Sequence, residues 1–289
     1  MRVAMLQTTA VFLMAPQKQL LRTPRMEAAG RGTFLGVDIP PLPNGRRLHI
    51  LEGLVAVQEE ETNEEDLADL LSVGGTVWPC AAALCRWLAS HQELVQSSNV
   101  LELGGGTGVC GIFAVGLGAN HVQLTDGSNA LLKLQAANLK RNAAILPENP
   151  SASVQRLLWD RDAVPEPPST DNGWQLIIGG DCTYMYDPEA HDALAKTIAS
   201  ILLSTASTGT EEWTPRVILS HEHRDRAFPT SGEMRWDHHD ETLRRFSEAC
   251  AEQSLELGQL TLEQQHSPGG GYKEVSVIEV KRCATSDEQ

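Results

Sequence analysis

The stretch 101–111, LELGGGTGVCG, is the feature that most restricts what this chain can fold into. It holds five glycines, and its first residue belongs to the short apolar run Val100-Leu101. A strand that turns into a helix through such a loop brings backbone amides to the carboxyl edge of a parallel sheet, where α/β proteins bind ligands. The stretch therefore predicts a cofactor site in an α/β domain.

The same loop matches two glycine patterns. Glu102, Gly104, Gly106 and Gly108 give E-x-G-x-G-x-G, which indicates S-adenosylmethionine, while Gly106, Gly108 and Gly111 give the dinucleotide pattern G-x-G-x-x-G. A pyrophosphate favours helix-terminal amides without a nearby anion, whereas the ammonium and sulfonium of S-adenosylmethionine favour acidic groups. Glu102 supplies such an acid, so the loop favours S-adenosylmethionine. An NAD-dependent enzyme stays a less favoured alternative.

Strand and helix patterns alternate along the chain after Val77. The predicted strands are NVLEL, HVQLTD, VQRLLW, WQLIIGG, RVILS, LELGQLTL and EVSVIEVKR. Only HSPGGGY separates the last two, which is too short for a parallel crossover. We therefore expect an α/β, Rossmann-like seven-strand sheet that is mostly parallel, has an antiparallel C-terminal hairpin and carries helices on both faces.

The overall charge restricts the partners. The 289 residues include 38 acidic and 23 Lys or Arg side chains, a net charge of -15, so nucleic acid is not an expected partner. An acidic surface instead favours encounter with basic segments of other proteins. No apolar run approaches the roughly 20 residues of a membrane-spanning helix, so no membrane partner is expected. The six cysteines form no C-x-x-C pair and indicate isolated thiols in a reducing compartment.

Five motifs, in order, resemble those of the family 16 seven-strand methyltransferases. They are Val77-Trp78, ELGGGTG, LTD at 124–126, LLW at 157–159 and GGDCTY at 179–184. Protein lysine methyltransferases dominate that family, and the resemblance covers about residues 77 to 281. It implies S-adenosylmethionine as the cofactor and a lysine side chain of a specific protein as the substrate. Histidine, arginine or small-molecule N-methylation, and a cofactor-binding interaction module without catalysis, stay open as alternatives.

The cofactor is expected to contact residues at the strand ends, all implied by the resemblance except Glu102, which the charge argument supplies. They are Trp78, Glu102, Gly104, Gly105, Gly106, Asp126, Trp159 and Gly180. A carboxylate at the position of Asp126 can accept both ribose hydroxyl hydrogens, which holds for NAD as well. Trp159 can stack against adenine, and Trp78 can close the site over the methionine part.

The resemblance places Asp181 and Tyr184 of the D-x-x-Y pattern opposite the cofactor methyl, as the catalytic residues. Asp181 could hold and orient the incoming amine, and Tyr184 could shape its channel. The alternative role for Asp181 is the N-cap of the following helix, although Asp187, directly before Pro188, is the better cap candidate.

Four histidines follow the fifth predicted strand: His221, His223, His238 and His239. Alternate residues of an extended segment share a face, so these side chains could bind zinc. No pattern fixes the gap between the two pairs, and a substrate-facing or solvated loop is favoured, so no metal is assigned. The inserts around this region, LSTASTGTEEWTP and FPTSGEMRWDHH, depart from the family pattern and leave the substrate protein open.

The chain divides into four expected parts. Residues 1–34 are a leader, disordered or targeting, because four basic and no acidic side chains precede Glu27. A disordered leader, or translation starting at Met26, is favoured over a transit peptide. Residues 35–76 hold a hairpin within 46–60, followed by an acidic linker. Residues 77–282 form the methyltransferase domain, and residues 283–289 are a tail. We expect a monomer in the cytoplasm or nucleus, or in mitochondria if residues 1–26 are a transit peptide.

Overall fold

The structure is a computed structural model. It describes residues 36–53, 56, 64–148, 151–168, 173–185, 187–206, 215–224, 226–230, 233–237, 240–266 and 272–283. The predicted leader, as well as His238 and His239, lies outside these residues. Within them, no helix has the length and hydropathy needed to cross a membrane.

Strands and helices alternate along most of the described chain. The strands are β1 (Asn99–Glu102), β2 (His121–Asp126), β3 (Ala152–Arg156), β4 (Leu176–Gly180), β5 (Arg216–Glu222), β6 (Arg226–Thr230), β7 (Glu233–Asp237), β8 (Leu255–His266) and β9 (Tyr272–Arg282). The helices are α1 (Glu64–Leu70), α2 (Pro79–Ser90), α3 (Gln92–Val95), α4 (Val109–Gly116), α5 (Asn129–Asn142), α6 (Pro188–Ala206) and α7 (Glu241–Glu252), with a short 3-10 turn at Val73–Gly75.

The main sheet has seven strands in the order β3-β2-β1-β4-β5-β9-β8. The pairs β1/β2, β1/β4, β2/β3 and β4/β5 are parallel, whereas β5/β9 and β8/β9 are antiparallel. The closing hairpin runs from Leu255 opposite Arg282 to His266 opposite Tyr272. These pairings confirm the predicted mostly parallel sheet with an antiparallel C-terminal hairpin.

Two hydrophobic clusters cover the two faces of this sheet. Successive strand residues point to opposite faces, so Val100 of β1 belongs to one cluster and Leu101 to the other. Helices α2 and α4 pack in the first cluster, and α6 and α7 pack in the second. Residues before α1 also enter the first cluster, through Ile39, Leu42, Leu48 and Ile50. The expected helices on both faces are therefore present, and the segment 36–53 is part of the same core.

The prediction of a hairpin within residues 46–60 is wrong for the described part of that range, which contains no strand. The physical reason lies in two buried amide side chains of α5. Asn138 accepts a hydrogen bond from the Leu51 amide at 2.7 Å and donates to the Leu51 carbonyl at 2.9 Å. Asn142 binds the His49 amide and carbonyl in the same way, at 2.8 and 3.0 Å. Backbone groups satisfied by side chains need no partner strand.

The segment after β5 also differs from expectation, since it was predicted as a long loop. Its described backbone forms β6 and β7, an antiparallel pair that runs from Arg226 opposite Asp237 to Thr230 opposite Glu233. This two-stranded sheet is separate from the main sheet. A short local hairpin carries no long apolar pattern, so the sequence gives little signal for it.

We expect Asn138→Ala to lower the free energy of unfolding by about 3 kcal/mol, because three hydrogen bonds to buried backbone groups are lost. Besides those to Leu51, Asn138 donates to the Thr107 carbonyl at 2.9 Å, next to the glycine loop. Urea denaturation measures the change. Asn44→Ala, at an exposed asparagine, is the control and should cost less than about 1 kcal/mol. Equal losses for the two variants would contradict this account of the segment.

Candidate active site

A cavity of about 380 Å³ opens at the carboxyl ends of β1, β2 and β4. This volume is in the usual range for small-molecule and cofactor sites. All of the predicted site residues line it: Trp78, Glu102, Gly104, Gly105, Gly106, Asp126, Trp159, Gly180, Asp181 and Tyr184. The structure thus brings these residues together at one place, while the role assigned to each stays a prediction.

The turn after β1 requires glycine at two positions. Gly106 has φ +54°, and a Cβ there would lie 2.6 Å from the carbonyl oxygen of Gly74. Gly104 has φ +58°, and its Cβ would lie 3.1 Å from Cζ2 of Trp159. The left-handed conformation lets the Gly106 amide donate to Oδ2 of Asp126 at 3.0 Å. The loop, the second strand and Trp159 therefore form one closely packed wall of the cavity.

Glu102 ends β1 and is only 1% exposed although it lines the cavity. Its Oε2 has no hydrogen-bond partner among the described residues. Burial raises the pKa of this carboxyl to about 8, against a smaller opposing effect of the Gly111 amide. A Cβ on Gly111 would lie 2.5 Å from Oε2, so that glycine lets α4 pack closely over the acid. Gly111 thus serves the packing of this helix, which accounts for the glycine without a bound dinucleotide.

Gln135 of α5 was not predicted as a site residue. It is fully buried, and neither atom of its side-chain amide has a hydrogen-bond partner among the described residues. A Cβ on Gly105 would lie 3.0 Å from its Nε2 and 2.8 Å from Oε2 of Glu102. Two incompletely bonded polar side chains therefore lie behind the same glycine, beside the cavity.

Asp126 ends β2, the neighbour of β1, and is half-buried. Its Oδ1 accepts a hydrogen bond from the Ser128 amide at 3.0 Å, in addition to the bond from Gly106. Burial raises the pKa of Asp126, and its backbone donors act in the opposite direction. Trp78 is held on another side of the cavity, where its Nε1 donates to the Val73 carbonyl at 2.8 Å.

Asp181 follows β4 and carries an unusual backbone conformation. Its φ is +56°, a left-handed value that costs a residue other than glycine about 1–3 kcal/mol. The conformation is held because the Asp181 amide donates to the Ser220 carbonyl at 2.8 Å, continuing the pairing of β4 with β5. Strain of this kind is concentrated at functional sites.

The carboxylate of Asp181 is 5% exposed and forms an ion pair with Arg224. Nη1 of Arg224 donates to Oδ1 at 3.0 Å, Nη2 donates to Oδ2, and the Glu222 amide adds a bond to Oδ1 at 3.3 Å. Asp181 is therefore not the helix cap. Asp187 has that position, accepting from the Glu189 amide at 3.0 Å at the start of α6.

Tyr184 is half-buried, with its ring centroid 5.8 Å from Cζ of Arg224. Burial and the negative charge of Asp181 both raise the pKa of its hydroxyl. The Tyr184 hydroxyl therefore stays protonated at neutral pH. It can shape the cavity and donate a hydrogen bond, but it does not supply a base.

Arg224 lines the cavity and was missed by sequence reasoning. The signal that could have found it is its place two residues past the end of β5, beside the end of β4. Gly180 lies opposite Ser220 in the parallel pairing, so the residues that follow both strands meet at one edge.

His221, near the end of β5, and His223, directly after it, form a hydrogen-bond network. His221 is fully buried and bridges Oγ1 of Thr183 at 2.6 Å and Oδ2 of Asp240 at 2.6 Å. His223 bridges the same Asp240 oxygen at 3.0 Å and Oγ of Ser276 at 2.7 Å. The expectation of a solvated or substrate-facing loop is therefore wrong for His221. The network ties the loop after β4, which contains Thr183, to the start of α7.

A comparison with protein families agrees with this geometry. The model of methyltransferase family 16, described as lysine methyltransferase, matches residues 58–227, more than half of the 289-residue chain. The chain belongs to this family. The resemblance seen in the motifs is thereby confirmed, and the family implies S-adenosylmethionine as the methyl donor.

Curated relatives are also lysine methyltransferases by name. The zebrafish (Danio rerio) protein N-lysine methyltransferase METTL21A is 36% identical over 132 residues, covering 44% of this chain and 55% of the relative. EEF1A lysine methyltransferase 3 of Xenopus tropicalis is 33% identical, covering 40% and 48%. Calmodulin-lysine N-methyltransferase of Arabidopsis thaliana is 28% identical, covering 43% and 40%. The chain thus spans about half the length of the curated relatives it matches.

The cavity of this family member fits S-adenosylmethionine. The buried Glu102 carboxyl, whose Oε2 has no hydrogen-bond partner among the described residues, suits a cationic group of the cofactor, because a nearby positive charge favours the ionised carboxylate. Asp126 stands at the end of β2, where it can receive ribose hydroxyls, and Trp159 offers a ring for adenine.

We expect S-adenosylmethionine to bind this protein more tightly as pH rises towards 8. The Glu102 carboxyl has a pKa of about 8 in the free protein, and a nearby cation would lower it, so binding below that pH releases a proton. The association constant should then rise by up to about tenfold per pH unit. Calorimetry in buffers of different ionisation enthalpy measures both the affinity and the proton release.

Glu102→Gln should remove this pH dependence, because the amide cannot release a proton. Glu93→Gln, at an exposed glutamate of α3, is the matched control and should behave as the wild type. An affinity for S-adenosylmethionine that does not change with pH in the wild type would contradict the proximity of Glu102 to a cofactor cation.

Proposed function

We propose that this chain is an S-adenosylmethionine-dependent protein N-methyltransferase that methylates a lysine side chain of a specific protein. The observation that carries the proposal is the position of Asp181 and Tyr184 on the wall of the cavity that the glycine loop also lines. Residues predicted to bind the cofactor and a buried acid predicted to face an amine line the same cavity, in a member of a lysine methyltransferase family.

The chemistry requires alignment and a neutral amine. S-adenosylmethionine supplies a methyl group bonded to a positively charged sulfur. A lysine amine, with an ordinary pKa near ~10.4, must lose a proton before its lone pair can attack. Asp181 can accept a hydrogen bond from the amine and so direct the lone pair at the methyl, a proximity effect worth several powers of ten in rate. The apolar part of the cavity wall favours the uncharged amine by desolvation.

The negative charge of the chain favours a substrate protein with a basic segment around the target lysine. The net charge of -15 attracts such segments over a distance that salt shortens. The relatives act, by their names, on proteins that include calmodulin and EEF1A, and the inserts of this chain leave its own substrate open. A monomeric state and a cytoplasmic or nuclear location stay predictions.

The direct test is to incubate the protein with methyl-labelled S-adenosylmethionine and a proteome extract. We expect label in a discrete protein band, located by mass spectrometry at a lysine. Label at histidine or arginine would reject the lysine assignment but keep methyl transfer to protein, and label in the low-mass fraction would indicate a small-molecule substrate. Binding of S-adenosylmethionine without any transfer would indicate an interaction module, and tighter binding of NAD would reject the methyltransferase proposal.

We expect Asp181→Asn to lower the rate of methyl transfer by about 10- to 100-fold, the equivalent of one charged hydrogen bond. The affinity for S-adenosylmethionine should change little, because the cofactor contacts lie elsewhere in the cavity. Asp187→Asn is the matched control: this residue caps α6, and asparagine caps helices equally well. Equal rates for the two variants would contradict a catalytic role for Asp181.

A further inference from the structure

We propose that Arg224 is a positioning residue for this reaction. By pairing with Asp181, it makes that carboxylate accept a hydrogen bond from a neutral amine instead of holding the amine as an ammonium ion. The inference rests on the proposed function, since it concerns how a lysine is presented to the methyl group. It starts from the ion pair, which the family comparison does not assign.

The geometry leaves room on Asp181 for the amine. Arg224 places one N–H on each carboxylate oxygen and another on the Glu222 carbonyl at 2.9 Å. An ionised carboxylate has about four acceptor positions. In the described part of the chain, Oδ1 accepts from Arg224 and from the Glu222 amide, Oδ2 accepts from Arg224, and the Cys80 thiol also interacts with this carboxylate. A thiol is a weak donor, so an N–H of the substrate amine can take its place on the carboxylate while the ion pair stays closed.

The charges around the pair are balanced. Glu222, whose negative charge also acts on Arg224, has its Oε1 at 3.4 Å from Nζ of Lys273. Two anions, Asp181 and Glu222, are therefore matched by two cations, Arg224 and Lys273. The other titratable groups that act on the pair and on its loop are Cys80 of α2, Cys182 and Tyr184 on the same loop, and Glu102 and Asp126 across the cavity.

This balance decides which form of the amine is favoured. A free carboxylate close to a bound lysine would stabilise its ammonium form and raise its pKa. Transfer uses the neutral form: the nitrogen lone pair forms the new N–C bond, the C–S bond breaks, and its electron pair goes to sulfur. The proton lost from the ammonium beforehand passes to solvent, and the product amine carries the positive charge. An Asp181 already neutralised by Arg224 keeps the pKa of the bound amine low enough for this step.

The test is the pH profile of the transfer rate under single-turnover conditions, with full-length enzyme, S-adenosylmethionine and the substrate protein isolated by its label from the extract. In Arg224→Gln, we expect the midpoint of the rise of rate with pH to move upward by about one unit or more, because Asp181 is then uncompensated. Arg224→Lys keeps the charge and should return the midpoint towards the wild-type value. Arg86→Gln is the control at an arginine that pairs with Glu263 instead, and should leave the midpoint unchanged.

Two results would overturn the inference. A lower rate at every pH with an unchanged midpoint in Arg224→Gln would assign Arg224 a structural role only. A lower substrate concentration for half-maximal single-turnover rate, with an unchanged midpoint, would mean that the substrate ammonium displaces Arg224 from Asp181. If Arg224→Gln does not fold, Arg224→Met, which also removes the charge and fills a similar volume, gives the same comparison. Failure of the proposed function is distinguishable, because the wild type would then transfer no label to lysine at any pH.

Discussion

The pairing of β1 on both sides is the constraint on which the rest of the site depends. This strand is fully buried and hydrogen-bonded in parallel to β2 on one side and to β4 on the other. Parallel neighbours end at the same edge of the sheet. The chain that follows β1 passes to one face of the sheet and the chain that follows β4 passes to the other, so a crevice opens where β1 ends. The glycine turn, Asp126 and Asp181 are thereby brought to one cavity.

Three adjacent strands each bring an acid to that cavity, and the protein treats the three carboxyl groups differently. Glu102 is buried with a pKa raised to about 8, so it is largely protonated at neutral pH in the free protein. Asp126 receives backbone N–H donors, and Asp181 is neutralised by Arg224. Because an uncompensated buried carboxylate is costly, these arrangements let three acidic groups line one cavity, as the proposed binding of a cationic cofactor and an amine requires.

Much of the fold could be predicted, because alternation of apolar runs and a short final connection are local signals. The path of residues 46–53 could not, since it depends on Asn138, some 87 positions away, whose side chain replaces a strand partner. The placement of the predicted site residues follows from strand ends, which the sequence marks with glycines and acids. Arg224 and the His221–Asp240 contact were missed as partners because only the register of β4 against β5 and the position of α7 bring them to the loop after β4.

A crystal structure of the protein with bound S-adenosylhomocysteine would test the assignment of the cavity most directly. We expect the ribose hydroxyls on Asp126, the adenine beside Trp159 and the sulfur turned towards Asp181, with Arg224 still paired to that carboxylate. A cofactor bound outside this cavity, or one whose sulfur faces away from Asp181, would contradict the account.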